Sequence, residues 1–256
     1  MDSHPSTADP AAVPAAVFDS GGRRIVPEVM DQPGLDRALH RQALTALRRV
    51  NWLSRTADSL WPSIAALARE LAKHREGAPL SLLDVACGGG DVALRLAQRA
   101  AWSGVPLEVA GCDLSSTAIE FACEQASRGE IAPPRFFTHD ILNSPLPQQY
   151  DIVTCTLFLH HLEESQAVVL FDRLANAARR LVVISDLRRT RLGFWMAHLV
   201  SRVLTRSPVV RVDGPLSVAA ALSLEEVAKL AARCGWSGCQ LRRVWPERFL
   251  LTWNKS

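Results

Sequence analysis

Short apolar runs alternate along this chain with longer stretches whose apolar residues recur every three or four positions. The first run, residues 80–85 (LSLLDV), breaks into Ala86-Cys87-Gly88-Gly89-Gly90-Asp91, after which Val92, Leu94, Leu96 and Ala97 open a helical pattern. Strand, glycine turn and helix in that order begin an open parallel α/β sheet. Further strands are predicted over residues 108–113 (EVAGCD), 135–140 (RFFTHD), 151–156 (DIVTCT) and 181–185 (LVVIS). Helices are predicted over 117–128, behind an N-cap Ser115 or Ser116, over 170–180, and over 223–234. The last opens on Ser223 with a glutamate at the capping-box position. Residues 240–245 and 248–253 flank Pro246-Glu247 and read as a terminal hairpin. Upstream, residues 36–47 put Leu35, Leu39, Ala43, Leu44 and Leu47 on one helical face, and residues 63–74 form a second helix closed by Gly77 and Pro79.

The glycine turn has two chemical readings. A glycine there lets the backbone turn sharply and lets a ligand approach without a Cβ in the way. Gly88-x-Gly90-x-x-Ala93 fits the relaxed dinucleotide fingerprint. However, three successive strands end in an acid: Asp84, Asp113 and Asp140. Ligands of open α/β sheets lie at those strand ends. Three acids suit a ribose, an exocyclic amine and a cationic centre, and would repel a pyrophosphate. A nicotinamide oxidoreductase would also want a tyrosine with a nearby lysine, and the chain's one tyrosine, Tyr150, has no such partner.

Together these motifs resemble the class I S-adenosylmethionine (SAM)-dependent methyltransferases, over roughly residues 45–190. The resemblance implies a Rossmann-like fold, a seven-stranded mostly parallel sheet with a terminal antiparallel hairpin. It implies SAM as cofactor, with Asp84, Ala86, Gly88 and Gly90 beside the methionine part. Asp113 and Leu114 would take the ribose, Asp140 and Ile141 the adenine, and Thr156 would lie at the end of the fourth strand. The segment after that strand would pass the sulfonium, which makes His160 and His161 the candidate general bases, since imidazole titrates in the useful range. Asn51, Ser54, Trp61 and LDVACGGGD are similar to the ubiquinone/menaquinone C-methyltransferase family. The chain departs from it in having His160-His161 where that family has Arg-Asn, so its substrate is not implied.

The chain therefore divides into a disordered arm (1–26), a helical cap (27–79) and a methyltransferase domain (80–256) with a lid insertion at 188–216. The lid carries Phe194, Trp195, His198 and Leu199 between arginines 188, 189, 191, 202 and 206. An apolar lid implies a hydrophobic small-molecule acceptor, and its basic flank suits peripheral contact with an acidic membrane surface. The expected activity is O-methylation of a phenolic or polyketide-like ring. The alternatives are C-methylation of a quinone-type ring and a non-catalytic SAM-binding protein.

Composition narrows this further. A net charge of +3 over 256 residues, without a broad basic stripe or an Asn-Pro-Pro-Tyr segment, argues against nucleic acid as partner. Six cysteines without paired spacing predict reduced, buried thiols of a cytoplasmic protein and no metal site. No apolar run reaches the roughly 18 residues needed to span a bilayer. Oligomeric state leaves no mark on the sequence.

Overall fold

A computed structural model describes residue 18 and residues 22–32, 34–71, 78–129 and 131–255. Its seven strands are β1 (Leu80–Val85), β2 (Leu107–Asp113), β3 (Arg135–Thr138), β4 (Tyr150–Thr156), β5 (Ala178–Leu187), β6 (Gln240–Val244) and β7 (Arg248–Asn254). They form one sheet in the order β3-β2-β1-β4-β5-β7-β6. The first five are parallel, with Leu83 level with both Ala110 and Val153. β7 enters antiparallel between β5 and β6, pairing Ser185 with Leu250 and Leu251 with Leu241. The predicted mostly parallel sheet with a terminal hairpin is therefore present.

The central strands are apolar on both faces because helices cover both. Alternate residues feed two cores, as the two-residue strand period requires. Leu83, Val85, Val153 and Ile184 join Leu170, Phe171 and Trp236 on one face. Leu82, Ile152 and Val183 join Leu60, Ile64 and Leu96 on the other. Trp236 lies 4.4 Å from the Phe171 ring and stacks at 4.8 Å on Trp253 (centroid distances). The helices covering the two faces are α2 (Thr56–Leu71), α3 (Asp91–Trp102), α5 (Glu164–Ala177) and α8 (Leu224–Arg233), the last through Val227 and Leu230. α4 (Ser116–Ala126) starts where Ser115 Oγ accepts from the Ala118 amide, and Ser223 with Glu226 forms the predicted capping box before α8.

Four helices differ from their sequence patterns. α5 starts at Glu164, six residues before the predicted 170, and stops at Ala177, where β5 takes over. α1 (Arg37–Leu53) runs one and a half turns past residue 47, and α2 starts at Thr56, before Pro62. Proline favours a first turn, which is why the pattern suggests a later start. Here Thr56 begins the helix instead, its hydroxyl bonded to the Asn51 side chain at 3.3 Å and to Arg248. The stretch Arg211 to Leu216, whose Gly214-Pro215 suggests a turn, lies inside α7 (Pro208–Ala220). Ser207 caps α7, and Pro208 occupies its first turn. Gly214 faces α6 (Arg191–Leu204), with Ser201 Cβ 3.7 Å from where its own Cβ would be. Close helix packing overrides the local turn preference there.

The arm expected over residues 1–26 lies for the most part outside the described residues, as does the expected close of the second helix at Gly77. From residue 22 the backbone runs extended along α7, where the Arg24 amide donates to Ala219 O. Among the described residues the cysteines form no disulfide. Cys87, Cys112 and Cys155 are buried as expected, whereas Cys123 is exposed because it falls on the outer face of α4. No described helix is long and apolar enough to cross a membrane.

Candidate active site

At the carboxyl ends of β1, β2 and β4 the sheet opens onto a cavity of about 640 Å³. One end is built by the glycine turn. Ala86, Gly88 and Gly90 all have positive φ (53°, 52° and 73°). The Gly88 amide donates to Asp113 Oδ2 at 2.8 Å, and the Ser115 amide donates to Asp113 Oδ1 at 2.9 Å. Burial raises the Asp113 carboxyl above its ordinary value, against the pull of those two amides. Gly90 is needed for space as well as for φ. A Cβ there would lie 2.7 Å from Phe136 Cζ and 2.8 Å from Ala122 Cβ. Gly90→Ala should therefore lower the melting temperature sharply, by roughly 2–4 kcal/mol of stability, since strain and overpacking combine. An unchanged thermal melt would show that the turn relaxes freely.

Asp84 is fully buried at the end of β1. Thr154 Oγ1 donates to its Oδ1 at 2.7 Å, but Oδ2 has no hydrogen-bond partner among the described residues. Burial pushes its carboxyl up to about 7. Asp140 contrasts with it. Its Oδ1 accepts from the Leu142 and Asn143 amides at 3.0 and 3.1 Å, and its Oδ2 from Asn143 Nδ2 at 2.7 Å. Desolvation would raise its pKa, but those bonds hold it below the usual carboxylate range.

Away from the glycine turn, polar groups of the cavity gather around His160. His160 sits in the short turn Leu159–His161 after β4. Its Nδ1 lies 2.6 Å from Asp186 Oδ1, at the end of β5, and its Nε2 lies 3.6 Å from Glu28 Oε1. His161 Nδ1 is 2.8 Å from Asp31 Oδ2, and the two imidazoles stack at 4.2 Å. Burial alone would lower the His160 pKa, but the Asp186 and Glu28 carboxylates outweigh it and push it up to about 10. The segment carrying Glu28 and Asp31 is pinned across the site. Arg23 donates to the carbonyls of Leu159, His160 and Ala220, and Asp213 accepts from the Val29 and Met30 amides. Ser217 Oγ donates to Glu28 Oε1 at 2.5 Å. Around these groups the wall is apolar, formed by Leu35, Leu47, Ala197, Val200, Val210 and Val218.

Residues 82–180 match the protein family described as a methyltransferase domain. Over this stretch the chain is similar to that family. The stretch carries the glycine turn, Asp113, Asp140 and both histidines. A curated relative is the ubiquinone biosynthesis O-methyltransferase of Pseudomonas fluorescens (strain SBW25), 33% identical over 89 residues. That match takes in 34% of this chain and 36% of the relative, so the chain spans about a third of the length of the curated relatives it matches. Among solved structures, magnesium protoporphyrin IX methyltransferase from Synechocystis PCC 6803 with bound SAH aligns with TM-score 0.53 at 19% identity, covering 89% of this chain and 91% of that one. Human N-acetylserotonin methyltransferase in complex with SAM aligns with TM-score 0.58 at 15% identity, covering 86% and 57%. At such identities the likeness is one of fold.

In the structure, Ala86, Gly88, Asp113, Leu114, Asp140, Ile141, Thr156, His160 and His161 all line the cavity. Asp84 and Gly90 do not; Asp84 lies fully buried behind the turn, and Gly90 is packed against Phe136. Helices α6 and α7 line the cavity, α6 with Ala197, Val200 and Ser201 rather than with Trp195 or Leu199, which are exposed. The small residues face α7 because that is where the helices approach most closely. Sequence patterns miss Glu28, Asp31, His40, Asp91 and Arg248, which also line the cavity. Arg248 is buried, bonded to Asn51 and Thr56, and burial lowers its pKa to about 10.

Proposed function

We propose that the protein transfers a methyl group from SAM to an oxygen of a hydrophobic ring-bearing small molecule. The single observation that carries this is the division of one continuous cavity. A glycine turn with two cavity-facing acids forms one end, and an apolar wall with one carboxylate–imidazole cluster forms the other. The residues present fit SAM. Asp113 would take the ribose diol, Asp140 and Ile141 would hold the flat base, and the Asp84 Oδ2, without a hydrogen-bond partner among the described residues, would add negative potential behind the turn. When bound, SAM supplies an electrophilic methyl on a sulfonium.

The chain's own part is alignment, exclusion of water and handling of one proton. The α6–α7 pair and the segment at residues 22–32 roof the cavity. His160 is held between the Asp186 and Glu28 carboxylates, and so orients rather than deprotonates. His161 faces the cavity with Asp31 fixing its Nδ1 side, the arrangement of a base and its orienting carboxylate. This narrows the two candidate bases to His161.

The test is a panel of phenols and dihydroxylated aromatic rings incubated with SAM, with products read by mass spectrometry. An O-methylated product is expected, and His161→Ala should lower kcat about 10- to 100-fold while leaving SAM affinity unchanged. A panel without any methylated product would sink the reading. A C-methylated product would shift it to the ring-carbon chemistry.

A further inference from the structure

We propose that Glu28, His160 and His161 form a binding site for one divalent transition-metal ion, with open coordination positions facing the acceptor end of the cavity. This rests on the methyl-transfer reading only for the ion's role, not for its binding. Each of the three residues can turn one donor atom to a common point, the three atoms lying within 4.8 Å of one another. His160 Nε2 is 3.6 Å from Glu28 Oε1 and His161 Nδ1 is 4.0 Å from the same oxygen. Both are too long for hydrogen bonds. They are close to the spacing of about 3.3–3.5 Å between neighbouring ligands of a tetrahedral ion with bonds near 2.1 Å.

The surroundings are those of a metal centre. Asp186 holds the far nitrogen of His160, as carboxylates hold ligating imidazoles and fix which ring nitrogen meets the ion. Ser217 Oγ fixes the Glu28 carboxylate in the same way. Three carboxylates, Glu28, Asp31 and Asp186, converge on the two imidazoles, and Asp213 stands close enough to Glu28 to feel its charge. A dication would offset that surplus of negative charge. Two imidazoles and one carboxylate suit zinc, cobalt, iron or manganese in their divalent states, and not calcium or magnesium, which prefer oxygen alone. No spacing in the sequence points to this set, because Glu28 reaches it from far upstream.

A bound ion would draw His161 off Asp31. With His161 held as a ligand, the freed Asp31 carboxylate would take its place as base: it would accept the proton of an acceptor hydroxyl on the open position, whose oxygen would attack the methyl as the S–CH3 bond breaks and S-adenosylhomocysteine leaves. The site would favour acceptors with two adjacent oxygens, which can chelate.

The full chain, stripped with a chelator, should be titrated with Co²⁺ in the absence of SAM and acceptor, and followed by visible absorption. One Co²⁺ per chain is expected, with the ligand-field bands of a low-coordinate site, displaced by Zn²⁺. Glu28→Gln and His161→Ala should each weaken binding at least tenfold with an unchanged circular dichroism spectrum. If one variant fails to fold, the other decides. No Co²⁺ binding at micromolar concentration, or binding undiminished in the folded variants, overturns the site. A parallel SAM titration keeps the two proposals apart. SAM binding without Co²⁺ binding removes the metal alone, and Co²⁺ binding without SAM binding removes the methyl-transfer reading alone.

Discussion

Asp113→Asn should weaken SAM binding about 100-fold or more in a calorimetric titration while leaving the fold intact. Two consequences of geometry set the size. The carboxylate ties the glycine turn to the start of α4, its two oxygens accepting the amides of Gly88 and Ser115. It also faces the cavity, so each oxygen keeps a lone pair for a ligand hydroxyl. Hydrogen bonds to a charged group contribute about 1.5–3 kcal/mol each, and two of them make about 100-fold the lower bound. The fold should survive because asparagine still offers one carbonyl oxygen to the turn. The charge itself is unfavourable in place, since burial already raises this carboxyl above its ordinary value. Asp140→Asn is the control. Its Oδ1 is filled by the Leu142 and Asn143 amides and only its Oδ2 keeps a lone pair, so the loss of affinity should stay within about tenfold. Equal losses in the two variants, or none in Asp113→Asn, would place the ribose elsewhere or remove SAM from the site.

The contrast between these acids marks how far the sequence could be read. Strand–glycine turn–helix around Gly88, the acid ending β2 and the terminal hairpin are all local patterns, and local patterns predict local structure. What surrounds each acid is not local. Asp84, Asp113 and Asp140 look alike as strand-end aspartates, yet one is sealed in, one holds the turn and one is consumed by its own loop. Glu28, Asp31 and Arg248 reach the cavity from segments distant in sequence, so no spacing betrays them. α6 shows a second limit. Its apolar residues spread over more than one face, and periodicity cannot say whether Trp195 or Ala197 turns inward. The choice is made by the approach of α7, through Ser201 and Gly214, which leaves Leu192, Trp195, Leu199 and Val203 exposed. Gly214-Pro215 fails as a turn signal for the same tertiary reason.

Asp84→Asn should produce the opposite pairing of effects, a more stable protein that binds SAM less well. The folded pKa of about 7 lies above the ordinary 3.8. The folded chain thus holds a proton that the unfolded chain has released, and stability falls as pH rises from about 4 to about 7. Above pH 7 the penalty is constant. Asparagine cannot ionise and escapes it, while its side-chain oxygen still accepts from Thr154 Oγ1, 2.7 Å from the present Oδ1. The gain should be about 2 kcal/mol at pH 8, below the full value of the shift because the new amide N–H is unsatisfied, and near pH 4, where that cost stands alone, the variant should be the less stable of the two. In a chain of this size that is a rise in melting temperature of about 5 °C. SAM affinity should fall, because the unpartnered oxygen is the source of negative potential behind the turn, and a cationic sulfonium is the group that would feel it. Natural sites often keep a group in an unfavourable state for this purpose. Melting curves of the two proteins at pH 4 and pH 8, without ligand, decide the first half. If the Asp84→Asn variant melts below the wild type at pH 8, the carboxylate is stabilising and the buried charge is not held in reserve for a ligand.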